Sequence, residues 1–227
     1  MLNLIRLELM KFKLWPVIKS ALIAICILSI CITLILWDEA GVNGYNQAFA
    51  IIDTFSRAVF MIFGASLIAK FIIQEFQEKT MTVMFMYPIN RKKMMFAKMF
   101  IIIFFTFCSI MISDIVVSGA VYVFNLYHPI ITGTLTVSIL LQNALKLFMN
   151  ALAATGISFI PIYFGMKKYS VRTTVVSAIV IVALLNLGRG TEGTLFNFVA
   201  IPVTLACMGL FIAYMAIRKI EQVDLFK

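Results

Sequence analysis

Apolar residues run along this chain in blocks of roughly 20, the length a helix needs to cross a bilayer. Polar residues gather in the short gaps between blocks. The blocks cover about residues 17–37, 53–73, 99–124, 139–165, 173–187 and 195–217. Continuous apolar stretches of that length predict helices, because a segment in hydrocarbon must satisfy its backbone hydrogen bonds internally. The block at 173–187 is short for a full crossing and would tilt less or lean on neighbours. Residues 63% hydrophobic and 13% charged contrast with the roughly 45–50% apolar and 25% charged residues of a soluble domain. We therefore read residues 1–227 as a single all-α, polytopic membrane domain with six transmembrane helices.

Ahead of the first block, residues 1–16 mix apolar and basic side chains. At 100° per residue, Leu2, Ile5, Leu9 and Phe12 share one face, and Asn3, Arg6 and Lys13 share another. That pattern predicts an elbow helix lying in the interface, its basic face near anionic head groups. Trp15 and Pro16 supply an interfacial aromatic and an expected helix break.

Charge gives the orientation. Of the 19 Lys and Arg residues, all but Arg57, Lys146 and Arg189 fall in segments that six spans place on one side. The excess of Lys and Arg marks the cytoplasmic side, so both termini are expected in the cytoplasm of a plasma-membrane protein. The net charge of +9 then reflects topology, and no nucleic-acid partner is expected. Arg57 and Lys70 are expected to snorkel from the ends of span 2. Between them Gly64, Ala65, Ser66 and Ala69 form a small-residue face suited to close helix packing.

Enzyme chemistry finds little support. The chain has no P-loop, no G-x-S-x-G and no H-E-x-x-H. Its cysteines, Cys26, Cys31, Cys108 and Cys207, lie within apolar runs without metal-ligand spacing, and its one histidine, His128, reads as a solvated loop residue. No catalytic residue, metal site or bound cofactor is expected on this chain.

Asp114 stands out as an acid deep in a span, where a charge needs a partner or water. Helical rise places it about 24 Å from Lys98, and Lys146 about 28 Å from Gly165, at similar depths in consecutive antiparallel spans. An Asp114–Lys146 pair is plausible on that count, as packing salt bridge or as part of a gate. Gln142, Lys146 and Asn150 recur every fourth residue, a polar stripe that suits a hydrated path or helix-to-helix hydrogen bonding. Arg189 and Glu192, in the turn 188–194, read as an ordinary hairpin or an outer gate.

The longest polar interruption, residues 74–98, carries two glutamates and five Lys or Arg residues. Met81, Met84 and Phe85 form an apolar stripe on a short helix that Pro88 ends. Met-rich faces adapt to a protein groove, so this segment is suited to dock on a soluble partner.

The same segment resembles the signature of type-2 ABC exporter permeases. Glu75, Glu78 and Thr80 match its acidic pair and threonine; Pro88 to Arg91 and then Ala97-Lys98 match the run that opens the third span. Lys79 and Asn90 stand where the family commonly has Gly and Ser or Thr. The six-span layout, elbow and short tail with Asp224 are similar too. The resemblance implies that residues 74–98 form a cytoplasmic coupling helix, with Glu75, Glu78, Thr80, Met81, Met84, Phe85, Pro88 and Arg91 at the joint with an ATPase. It implies two ABC ATPase subunits carrying ATP and Mg, and a second permease, either a copy or a paralogue. The small size looks most like Gram-positive permeases that export amphipathic peptides or confer immunity to antimicrobial peptides. Two other readings remain: an ion-coupled secondary transporter using Asp114, and a membrane scaffold that transports nothing.

Overall fold

The computed structural model describes residues 14–38, 44–77, 91–128, 131, 136–186 and 200–220. Among them every regular element is helical. The helices are α1 (Leu14–Asp38), α2 (Tyr45–Ile68), α3 (Gln74–Gln77), α4 (Arg91–Tyr127), α5 (Val137–Ile157), α6 (Pro161–Lys168), α7 (Val171–Asn186) and α8 (Ala200–Ile220). A π-helical segment, Ala69–Ile73, joins α2 to α3. Among the described residues four helical stretches are long and apolar enough to cross a membrane: Trp15–Trp37, Tyr45–Gln77, Met94–Tyr127 and Val137–Lys168. Two shorter apolar helices, Val171–Asn186 and Pro202–Met215, fall where the last two spans were expected. Pro16 lies near the start of α1 instead of breaking it, since a proline in the first helical turn forfeits no intrahelical hydrogen bond. The remainder of the predicted elbow, the docking stripe 81–85 and the turn 188–194 lie outside the described residues.

The chain divides into two compact units. One combines Leu14–Phe60 with Phe107–Leu152. Its core is built on helical periodicity: Ile25, Leu28, Ile32 and Leu36 of α1 are buried, while Leu22, Ile23, Ile27, Ile30 and Leu34 of the same helix are exposed and suited to lipid. Ala48, Ile52 and Phe60 of α2 and Ile110, Val117 and Val121 of α4 complete the core. Side-chain hydrogen bonds pin its ends. Asn125 donates to the Tyr45 hydroxyl at 3.0 Å and accepts from the Ile131 N–H at 2.9 Å. Asn143 donates to Asn46 Oδ1 at 2.8 Å. His128 is exposed, as expected, and its ring also packs edge-on against Trp37, centroids 5.1 Å apart, and tilted against Phe124 at 5.6 Å. An imidazole body is apolar enough to use such neighbours while its exposed edge stays wet.

The other unit combines Met1–Lys13, Met61–Thr106 and Ala153–Lys227. Small residues set its spacing, as expected where helices associate without a hydrophobic drive of their own. A Cβ on Gly64 would lie 3.0 Å from Thr106 Cγ2 and 3.2 Å from Ser158 Oγ. One on Gly156 would come within 2.7 Å of Ala206 Cβ, and one on Gly209 would collide with the Gly156 carbonyl oxygen. Gly165 has the same relation to Thr174 and Ile73. At Pro161 the helix breaks and restarts. Residues 158–160 form a turn, and α6 begins with Pro161 in its first turn. Tyr169 then takes a left-handed conformation (φ 43°) that caps α6 and reverses the chain into α7.

Gly209→Ala should therefore lower the stability of the folded chain by about 1–3 kcal/mol, the usual cost of forcing a methyl into a filled contact. Gly119→Ala, whose added Cβ would meet nothing within 4 Å, should be tolerated. Paired thermal melts in one detergent would check the contrast; equal melting points would remove the close α5–α8 approach.

Candidate functional site

Among the described residues each unit holds one set of buried charges. In the first, α2 carries Asp53 and Arg57 one helical turn apart, the spacing at which opposite charges meet. Arg57 Nη2 lies 3.0 Å from Asp53 Oδ2, and Arg57 Nε donates to the Asp53 carbonyl oxygen at 3.2 Å. Asn150 of α5 donates to Asp53 Oδ2 at 2.8 Å. From α4, Asp114 joins the group, with Asp53 and Arg57 as the charges that act on it. Ser56 and Ser113 share a hydrogen bond at 3.2 Å. Asp53, Arg57 and Asp114 are 6%, 4% and 2% exposed, so this is a charged cluster closed off from the surroundings. Ser56 reaches toward Asp114, yet neither Asp114 oxygen closes a hydrogen bond of good geometry, nor does Asp53 Oδ1.

This arrangement corrects four expectations. Arg57 does not snorkel, because Asp53 gives its charge a partner inside the helix bundle. Asp114 is not the sole deep acid: α2 starts at Tyr45, so Asp53 lies eight positions into the helix instead of at its mouth. Asp114 does not pair with Lys146, which is exposed. Gln142 is exposed too, whereas Asn150 is half-buried. Four-residue spacing drifts about 40° per step around a 3.6-residue helix. The inward positions of α5 are accordingly Asn143, Asn150, Ala151 and Ala154. The Asp-x-x-x-Arg spacing was the signal available for the missed pair.

In the second unit Lys98 of α4 is fully buried and ion-paired with Glu75 of α3. It also donates to the Phe71 carbonyl oxygen at 3.5 Å, inside the π segment. The π segment closes with the Gln74 N–H bonded to the Ala69 oxygen, five residues back. That wider turn carries the chain from α2 into α3. Phe76 of α3 packs against Tyr169, centroids 6.1 Å apart. Glu75 is thus held from within the chain at the point where residues 78–90 begin. Arg91 opens α4. Glu78, Thr80, Met81, Met84, Phe85 and Pro88, with Arg189 and Glu192, lie outside the described residues.

A family model described as ABC-2 family transporter protein matches residues 4–185. The chain belongs to the ABC-2 transporter family. A Bacillus subtilis (strain 168) relative, "Uncharacterized protein YcbO", is 42% identical over 228 residues, covering 98% of this chain and 100% of its own. No solved structure matches. Membership makes this a multi-pass membrane protein of the permease kind, typically the non-catalytic membrane subunit that works with an ABC ATPase. The Glu75–Lys98 pair flanks residues 78–90 along the chain, with Glu75 just ahead of them.

Lys98→Met should cost about 3–5 kcal/mol, the typical loss when one member of a buried ion pair is removed. The exchange E75K/K98E should recover part of that loss over either single reversal. Melting temperatures of the three reversal variants test the pairing; no recovery in the double variant would count against it.

Proposed function

We propose that this chain is the membrane-spanning subunit of an ATP-driven exporter, moving an amphipathic substrate out of the cell or the membrane. Membership of the ABC-2 family carries the reading. The chain would supply the path, and two separate ABC ATPase subunits would bind ATP and Mg and supply the energy. A second permease, as a copy or a paralogue, would complete the membrane part. Six spans with cytoplasmic termini and a cytoplasmic 74–98 segment fit the distribution of Lys and Arg. The peptide, toxin or antimicrobial nature of the substrate, and a Gram-positive resistance role, follow from the family resemblance of this small chain.

Force would enter through residues 74–98. ATP-dependent closure of the ATPases shifts the permease pair between two states, and the substrate must bind those states unequally for work to be done. The pair between Glu75 and Lys98 supports this reading, because it ties the start of the segment to a spanning helix. Glu78, Thr80, Met81, Met84, Phe85, Pro88 and Arg91 would form the joint. Asp114, Gln142, Lys146, Asn150, Arg189 and Glu192 are the candidates for the substrate path or gate. Of these, Asp114 and Asn150 belong to the buried cluster. The second reading, ion-coupled transport without an ATPase, draws its support from the same cluster.

Affinity purification of the chain from its native membrane in mild detergent, followed by mass spectrometry, tests the assignment. A stoichiometric P-loop ATPase is expected; a chain recovered with no ATPase would favour ion coupling. Glu78→Lys should leave the complex assembled and reduce substrate-stimulated ATP hydrolysis about tenfold, the effect of losing roughly 1.4 kcal/mol at the joint. Normal coupling in that variant would exclude Glu78 from docking.

A further inference from the structure

The buried cluster of the first unit has an imbalance that its geometry does not resolve. It contains two carboxylates and one guanidinium. Arg57 spends its closest contact on Asp53, at 3.0 Å, and Asp53 takes a further donor from Asn150 at 2.8 Å. Asp114 sits beside this pair, 2% exposed, with both oxygens lacking a hydrogen-bond partner. With every group ionised the cluster would bury one uncompensated negative charge beside a second carboxylate. Isolated buried charge of that kind is avoided by neutralisation, and two neighbouring carboxylates resist joint ionisation.

The neutralising species must suit the donors present. Among the described residues no three His, Cys, Asp or Glu side chains converge as a metal site requires. Arg57 already supplies a cation to the cluster. A proton needs no coordination shell and no cavity. It would also turn an orphaned acceptor into a donor, beside Ser56 and the unpartnered Asp53 Oδ1. The charged side chains facing Asp114 are Asp53 and Arg57, both from α2. From α5 comes Asn150, toward Asp53, while Lys146 on that helix is exposed. Lys19 of α1 is exposed and lies over the Trp15 ring at 5.3 Å.

We propose that the Asp53–Arg57–Asp114 cluster is a proton-binding site within the membrane, with one exchangeable proton held on Asp114 and Asp53 kept ionised by Arg57. Protonation forms an O–H bond on one Asp114 oxygen and removes the excess charge, leaving the cluster neutral. Deprotonation requires water or another cation to reach Asp114. The site therefore binds its proton in closed arrangements of the helices and releases it in arrangements that admit solvent. This inference rests on the cluster and on no assumption about an ATPase or a substrate.

The test is infrared difference spectroscopy on the full-length chain reconstituted in lipid bilayers at neutral pH. A protonated carboxylic C=O stretch is expected, downshifted in D2O, lost in Asp114→Asn, moved in frequency in Asp114→Glu and unmoved in Asp53→Glu, which keeps the charge count of the cluster. Asp114→Asn, a neutral isostere of the protonated acid, should leave the melting temperature within a degree or two. Should a variant fail to fold, wild-type protein labelled with 13C at aspartate carboxyls gives the same reading by solid-state NMR: one aspartate in the neutral-acid region of the spectrum. Absence of any neutral aspartate overturns the proposal, as does a band kept in Asp114→Asn or one moved by Asp53→Glu and not by Asp114→Glu. No ATP is used, so failure here leaves the exporter reading untouched.

Discussion

A charge among hydrocarbon chains must find its compensation inside the protein, because no solvent is there to supply it. That constraint governs the polar half of this structure. Arg57 is stable in its position because Asp53 lies one turn away on the same helix and Asn150 supports the carboxylate from another. Lys98 can be fully buried because Glu75 meets it. Replacing either basic residue alone would strand its partner, which is worse than removing both. Each pair thus behaves as one unit of the fold, and the helices that carry its members are constrained together.

The apolar half obeys a different rule. Leucine and isoleucine gain little from leaving lipid for protein, so helices come together where small residues let their backbones approach. Gly156 and Gly209 meet almost backbone to backbone, and Gly165 admits Thr174 and Ile73. The bulky side chains turn outward instead, as Ile23, Ile27, Ile30 and Leu34 do on α1. Exposure of these residues is what a bilayer demands of a chain surface.

The helices themselves were legible in the sequence, since block length and hydropathy report directly on what hydrocarbon accepts. The small-residue face at Gly64, Ala65, Ser66 and Ala69 could be read as well: Ser66 is half-buried and the other three are buried. Partners were harder. Placing the start of the second span at Asp53 put that acid at an apparent boundary, and the boundary error hid its pairing with Arg57. Matching depths along spans 3 and 4 put Asp114 opposite Lys146, but depth gives height along a helix and says nothing of facing direction. The drift of a four-residue repeat turned Gln142 and Lys146 away while leaving Asn150 inward. For Glu75 the motif gave its neighbourhood, while its bond to Lys98, across 23 positions, depended on tertiary structure.

The π segment Ala69–Ile73 has a consequence for comparing this chain with its relatives. A π turn holds one residue more than the α turn it replaces. Shortening the helix by a single residue there would rotate everything beyond it by about 100°, carrying Glu75 off the side that meets Lys98. Two family members could therefore share every residue of the motif and still present it differently, if one lacked that extra position. Alignments through this region are best judged by which helical face each acid occupies, and gaps placed to preserve that face, even where identity alone would put them elsewhere.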